Sequence, residues 1–159
     1  MLLTEYRPFH VDRQLAEATL KENRPLVVKG VIQRAEAKNQ NGRIYPREIL
    51  EREINKYIEG PVREKRALGE LDHPESSVIN LQNVSHNVTK IRMTGDDVYG
   101  EVEILPTPAG KILQALFASG ITVGISSRGM GSVKEGSGGT VEVQDDFELL
   151  CFDFVSTPS

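Results

Sequence analysis

The sequence predicts one α+β domain that is mainly β, built as a closed or nearly closed mixed β-barrel flanked by helices. Alternating runs of apolar and β-branched residues outnumber the segments with helical periodicity. The runs are joined by tight turns, which indicates antiparallel hairpins instead of regular βαβ units. The length of 159 residues suits a single domain with a hydrophobic core.

Composition and charge exclude several classes of protein. No apolar run is long enough to cross a bilayer, and the charged N-terminus is unlike a secretory signal. The lone cysteine, Cys151, rules out an internal disulfide framework and fits a reducing compartment. The net charge of -4, with both signs mixed along the chain, argues against nucleic-acid binding. No membrane, nucleic acid or cofactor is therefore expected.

The first half of the chain reads as an N-terminal arm followed by the start of the domain. Residues 1–24 are polar with one amphipathic piece and form the arm, while residues 25–159 form the domain. A first core strand follows Pro25, and Asn-Gly within 38–42 marks a turn. A helix begins after Pro46, ends at Gly60-Pro61 and buries one face, which consists of Leu50, Ile54, Tyr57 and Ile58. Residues 62–77 read as a charged loop.

The second half reads as strands around one helix. A strand is predicted from Val78 to Val84, then a hairpin that turns at 94–97. Thr107 and Pro108 begin a helix whose buried face is predicted as Ile112, Leu113, Leu116 and Phe117. Gly120 suits the position after that helix. Glu135–Gly139 reads as a flexible hairpin tip, and one final strand is predicted from Thr140 to about Val155.

The stretch Gly120–Gly131 carries the first candidate for chemistry. Ile121, Val123 and Ile125 alternate as the apolar face of a strand, which puts Ser126 on the opposite face. Gly129 and Gly131 predict a loop whose free N–H groups lie near a serine hydroxyl. A serine pair at the end of a strand also suits an ordinary turn, so the pattern alone is weak.

His73 and Asp153 are the two further candidates. His73 lies in a polar, irregular segment and precedes a proline that restricts the backbone. Asp153 lies in an apolar run, where a carboxylate needs a fixed hydrogen-bond donor. Each also has a structural interpretation, His73 as a surface loop residue and Asp153 as a solvent-facing edge residue.

Together the three residue types indicate hydrolysis by a serine nucleophile. A serine hydroxyl needs an imidazole to accept its proton, and the imidazole needs a third group to orient it. Cys151 is the rival nucleophile, but its apolar neighbours favour an inert core cysteine. No HExxH or CxxC spacing indicates a metal site.

Several motifs in order resemble the prohead core proteases of T-even-like tailed phages. They are Asn41–Pro46, Gly69–Pro74, Asp97–Gly100, Val123–Gly129 and Phe152–Val155 with Pro158-Ser159. The family is similar in fold to the herpesvirus assemblins, a β-barrel wrapped by helices.

The resemblance implies a catalytic triad of His73, Ser126 and Asp153. The assemblins use a second histidine as third member, but no histidine follows Ser126 here, so an acid must serve. The glycine-spaced loop offers a candidate substrate or oxyanion region at Ser127, Arg128 and Gly129, and Ser127 stays a backup nucleophile. Assemblins place oxyanion arginines after the third member, which weakens that role for Arg128.

What the resemblance implies is a maturation endopeptidase in the interior of the prohead. It would cleave scaffold and capsid proteins and finally itself, after Glu in Leu/Ile-x-Glu triplets. The triplets of the N-terminal arm are the expected self-cleavage sites.

Oligomerisation or a loop would hold the protease inactive before assembly, so a homo-oligomer is expected. The alternatives are a non-catalytic scaffold or capsid-binding module with the same fold, or a barrel that binds an unrelated ligand. Because such proteases usually continue beyond this C-terminus, truncation or self-trimming is also expected.

Overall fold

A computed structural model describes residues 1–39, 42–72 and 74–156. Within them lie three α-helices, α1 to α3, which are Arg13–Lys21, Arg47–Tyr57 and Pro108–Ala118. Ten strands, β1 to β10, are Leu2–Phe9, Leu26–Arg34, Arg43–Ile44, Leu68–Glu70, Val84–Thr94, Asp97–Ile104, Val123–Met130, Val133–Glu135, Val141–Val143 and Glu148–Val155. None of the helices in the described ranges is long and apolar enough to cross a membrane.

The strands of the described residues form three open sheets, so the expected closed barrel is wrong. Their orders are β1-β7-β10, β2-β6-β5-β4 and β3-β9-β8, and only the β3-β9 pair is parallel. The first two sheets meet at an isolated bridge between Leu71 and Phe154. At the other side β1 and β2 are edge strands of separate sheets, where the Phe9 ring packs against Gly30. A mainly β, α+β architecture is confirmed.

Phe154 lies where the first two sheets and α3 pack together. The rings of Phe9, His86 and Phe117 all meet the Phe154 ring edge-on, with centroid separations of 5.6, 4.6 and 5.6 Å. Such edge-to-face contacts add to the free energy gained by burying the rings. The sheet of β7 and β10 therefore packs on one face against a cluster of aromatic rings.

Residues 1–24 form two packed elements. β1 pairs with β7 along its whole length, and Leu3 and Phe9 are buried. The side chain of Asp12 accepts the Gln14 amide at 2.9 Å and so caps the start of α1. The N-terminal arm of the sequence prediction is thus an edge strand and a helix of the folded domain.

Two local predictions with clear capping or turn chemistry are confirmed, whereas positions 40 and 41 of the predicted turn at 38–42 lie outside the described residues. The β5–β6 hairpin turns at Gly95, whose φ of +60 suits glycine. Thr107 caps α3 by accepting the Gly110 amide at 3.0 Å. The predicted burial of Ile112 on α3 is wrong, because its side chain is 54% exposed. α2 ends at Tyr57 and passes into a wide helical turn, Ile58–Val62.

Two predicted strands and one predicted loop are wrong. Residues 78–83 are no strand, because Val78 and Leu81 are exposed and Leu81–Asn83 forms a short 3-10 turn. The final strand divides into β9 and β10, because a turn from Gln144 to Phe147 sends them into different sheets. The segment 62–77 contains β4, which pairs with β5.

Candidate active site

The candidate site is built on β7, the central strand of its sheet. Ser126 is paired with Tyr6 of β1 on one side and with Asp153 of β10 on the other. Because directly paired residues project to the same face, these three side chains share one face. We call it the site face; it also carries Arg128 and, on β10, Cys151. The opposite, core face carries Ile125 and Phe154.

Ser126 is 1% exposed. Its hydroxyl lies 3.5 Å from the Ser127 carbonyl oxygen, which is long for an O–H···O hydrogen bond. That carbonyl therefore does not hold the hydroxyl firmly. The prediction that Ser126 projects opposite to Val123 and Ile125 agrees with this register, but Ile121, the third residue of the predicted apolar face, lies before β7 and is 50% exposed.

Ser127 and Gly129 differ from their predicted surroundings. Ser127 is paired with Glu5 and Phe152 on the core face, so it does not share a face with Asp153. Gly129 was expected in a loop with free N–H groups, but β7 continues through Met130. A Cβ at Gly129 would lie 2.4 Å from the Phe147 ring. This glycine allows close packing and is a strand residue, so the predicted oxyanion loop is wrong at Gly129.

Arg128 is completely buried and all of its guanidinium nitrogens are engaged. Nε and Nη2 donate to the two carboxylate oxygens of Asp153 at 3.0 and 3.1 Å. Nη2 also donates to Glu70 at 2.9 Å, and Nη1 donates to the Ser76 carbonyl at 2.9 Å. Nε lies 3.2 Å from the sulfur of Cys151. Arg128 is thus the centre of an internal ion cluster.

Glu70 is the second acid of the cluster and is 1% exposed. Its amide N–H donates to Asp153 at 3.0 Å. Its carboxylate accepts the Asn80 amide at 3.2 Å and the Asn83 side-chain amide at 3.4 Å. Asn83 also donates to the Leu71 carbonyl at 2.6 Å. A single buried carboxylate therefore connects β4 to the segment that follows it.

The groups of the cluster shift one another's pKa values. Burial alone would lower the pKa of Arg128, but Cys151, Asp153 and Glu70 outweigh burial and raise it. Burial raises the pKa of the Cys151 thiol, and Asp153 raises it further. Cys151 therefore stays a protonated core thiol, as its apolar sequence predicted. One arginine and two carboxylates leave the cluster with a formal charge of −1.

Tyr6 and Gly124 close the other end of the site face. The Tyr6 ring lies over Gly124, where a Cβ would be 1.7 Å from a ring carbon. Because Gly124 and Ser126 project to the same face two residues apart, this ring forms a wall beside the serine. No local pattern in the sequence marks Tyr6, since only the β1–β7 register brings it to the site.

His73 lies outside the described residues, so its predicted place in the site remains a prediction. The residue before it, Asp72, donates its amide to the Phe154 carbonyl at 2.6 Å. Asp72 has a φ of +59, an uncommon conformation for a residue other than glycine. Such backbone conformations concentrate at functional sites. The hydrogen bond to Phe154, the residue after Asp153, therefore fixes the chain to β10 immediately before position 73.

His86 is a buried residue of β5, and its role is structural. Its Nε2 lies 2.6 Å from the Phe152 carbonyl, and its Nδ1 lies 2.7 Å from the Ser85 hydroxyl. Because a carbonyl only accepts, Nε2 carries the proton. Burial lowers the pKa of His86 to about 4. A Cβ at Gly69 would lie 2.0 Å from the Phe152 oxygen, so only glycine admits this contact.

No group of acid, histidine and cysteine side chains within 1–39, 42–72 and 74–156 has an arrangement that could hold a metal ion. Glu70 is a second residue of the cluster that was not among the predicted catalytic residues. A glutamate between Gly69 and Leu71 looks like a surface residue until β4 is known to lie beside β10.

The fold has a solved counterpart among phage proteases. Over 99% of this chain and 98% of the other, it superposes on the bacteriophage T4 capsid assembly protease gp21 with a TM-score of 0.86 and 26% identity. The class that the fold and the serine-bearing site face define is thus that of the capsid assembly proteases.

Sequence comparison gives the family. Residues 10–159 match the prohead core protein serine protease family. The chain is also 34% identical over 126 residues to the prohead core protein protease of Enterobacteria phage T4. That match covers 78% of this chain and 59% of the relative, so the chain spans well under two thirds of the relative's length. The chain belongs to the prohead core protein serine protease family.

Proposed function

We propose that this chain is a serine endopeptidase with Ser126 as nucleophile, His73 as general base and Asp153 as the third member of the triad. One observation carries the proposal. Ser126 and Asp153 are direct partners on neighbouring strands and share the site face. Family membership and the tether of Asp72 to β10 support a base from position 73.

In the proposed reaction His73 accepts the Ser126 proton while the serine oxygen attacks the substrate carbonyl. Collapse of the tetrahedral intermediate expels the amine, which takes that proton, and water then hydrolyses the acyl-enzyme. Asp153 stabilises the imidazolium that forms in each half-reaction. The guanidinium of Arg128 favours the ionised form of Asp153, and this is the form that can accept a hydrogen bond from an imidazole N–H.

The proposed substrates are the scaffold or core protein and the major capsid protein of the prohead, in whose interior the enzyme would act. We further propose cleavage after Glu in Leu/Ile-x-Glu sequences, self-cleavage, and a homo-oligomeric state. The triplet Leu3-Thr4-Glu5 lies in β1, with Leu3 buried. Cleavage there requires that β1 first leave the sheet.

Adjacent serines provide a matched test of the nucleophile. Ser126→Ala should lower hydrolysis of a peptide that contains Leu-x-Glu by at least about 10³-fold. Ser127→Ala, equally buried but on the core face, should keep most of the activity. A fluorophosphonate probe should label the wild type and Ser127→Ala but not Ser126→Ala. Equal cleavage by wild type and Ser126→Ala would overturn the proposal.

The burial of Ser126 favours a second candidate, a non-catalytic scaffold or capsid-binding module with the protease fold. At 1% exposure the hydroxyl has no open path to a substrate in this conformation. A folded wild-type chain that binds scaffold protein but is never labelled by the probe would establish this candidate and exclude the first.

A further inference from the structure

We infer that Glu70 and Arg128 form a buried latch that holds the segment 74–83 onto the site face and fixes the carboxylate of Asp153. We call 74–83 the latch segment. The inference rests on the proposed function, because it makes both residues positioning residues for the Ser126 site. Neither residue touches the reacting atoms.

The first support is the geometry at Arg128. A planar guanidinium that meets both oxygens of Asp153 fixes the orientation of that carboxylate as well as its charge. The same group reaches the Ser76 carbonyl, which belongs to the latch segment. One buried side chain therefore connects β7, β10 and the latch segment.

The second support is the role of Glu70 as an acceptor. Asn80 and Asn83, at the far end of the latch segment, both donate to its carboxylate. Its own amide holds Asp153. The latch segment is thus tied at Ser76, Asn80 and Asn83 to two buried side chains.

The third support is that the latch segment has few apolar contacts of its own. Val78 and Leu81 are 70% and 73% exposed and Ile79 is only half-buried, so no apolar side chain of the segment is fully buried. A segment without buried apolar side chains opens readily unless polar contacts hold it. The ion cluster supplies those contacts, and position 73 immediately precedes the latch segment.

Glu70→Gln is the central test. A glutamine offers one oxygen and one NH₂ group, while Asn80, Asn83 and Arg128 all present donors. Either orientation therefore places one donor against another. Glu53→Gln is the matched control, since Glu53 is 4% exposed and accepts the Leu149 amide outside the site.

Hydrogen exchange measures the latch without activity. In Glu70→Gln the Asn80 amide should exchange about 10- to 100-fold faster than in wild type, because a charge-assisted hydrogen bond is lost. In Glu53→Gln that amide should keep the wild-type rate. If Glu70→Gln does not fold, Asn83→Ala removes one tether and should accelerate exchange in the same segment. Unchanged exchange in the folded variant overturns the latch.

Activity then tests positioning. Glu70→Gln should lower kcat about 10-fold or more with little change in KM, and Arg128→Lys should retain more activity than Arg128→Met. A kcat for Glu70→Gln equal to that of Glu53→Gln overturns the positioning role. If the wild type shows neither cleavage nor labelling, the proposed function fails, and the exchange comparison alone decides the latch.

Discussion

Gly124 shows how closely the site face is packed at the level of single residues. The strand carries a glycine there because the Tyr6 ring occupies the space of a side chain. Any Cβ would push the ring away from the sheet or distort β7. The packing at Gly124, next to Ser126 on the site face, therefore depends on the ring of Tyr6 in β1.

Gly124→Ala should lower the free energy of unfolding by about 1–3 kcal/mol, the usual cost of overpacking. Urea denaturation measures the loss. Gly60→Ala is the control, because the nearest atom to its added Cβ lies 4.0 Å away. Adding Tyr6→Ala should recover part of the loss in a double-mutant cycle. Equal stabilities of the two glycine variants would contradict this account of Gly124.

At the scale of elements, β1 determines whether the N-terminal arm is dispensable. The strand covers one edge of β7 along eight register pairs and buries Leu3 and Phe9. A strand that supplies hydrogen bonds and core side chains cannot leave without exposing both. We therefore expect that removal of residues 1–24, or cleavage after Glu5, ends activity by dismantling the sheet that carries Ser126.

Two leucines of the arm test this expectation without cleavage. Leu3→Ala should lower the free energy of unfolding by about 2–5 kcal/mol, because Leu3 is wholly buried. Leu15→Ala should change it by less than about 0.5 kcal/mol, because Leu15 is 55% exposed on α1. Thermal or urea unfolding distinguishes them. Similar small effects would show that β1 is loosely attached.

At the scale of the whole molecule, His86 joins the sheet β2-β6-β5-β4 to the sheet β1-β7-β10. It stands on β5 and its ring bonds the Phe152 carbonyl of β10. The ring is buried as the neutral form, since the pKa of His86 falls from 6.5 to about 4. The contact between the sheets therefore depends on pH.

The unfolded chain binds a proton at His86 between pH 6.5 and 4 that the folded chain does not bind. Stability should consequently fall as pH decreases through this range, by on the order of 3 kcal/mol in total. His86→Gln should flatten this part of the curve of unfolding free energy against pH. His10→Gln, at an exposed histidine, should retain the slope. An identical slope in His86→Gln and wild type would refute this role.

Much of the fold followed from local patterns in the sequence. The Thr107 cap, the Gly95 turn and the buried face of α2 each depend on residues within a few positions of one another. The side of β7 on which Ser126 lies followed from alternation alone. Exposed apolar residues misled the same reasoning, since Val78 and Leu81 resemble strand residues but face solvent.

The sequence by itself determined the family and the candidate residues Ser126, Asp153 and His73, because short motifs and period-two alternation are local properties. Only the tertiary structure decided that Asp153 pairs with Ser126 and that β1 belongs to the site. It also decided that the guanidinium of Arg128 binds Asp153 and Glu70 inside the protein. Glu70 and Asp153 are 83 positions apart in the chain. Contacts across such distances arise when sheets pack together and buried charges must find partners, and no local pattern encodes that choice.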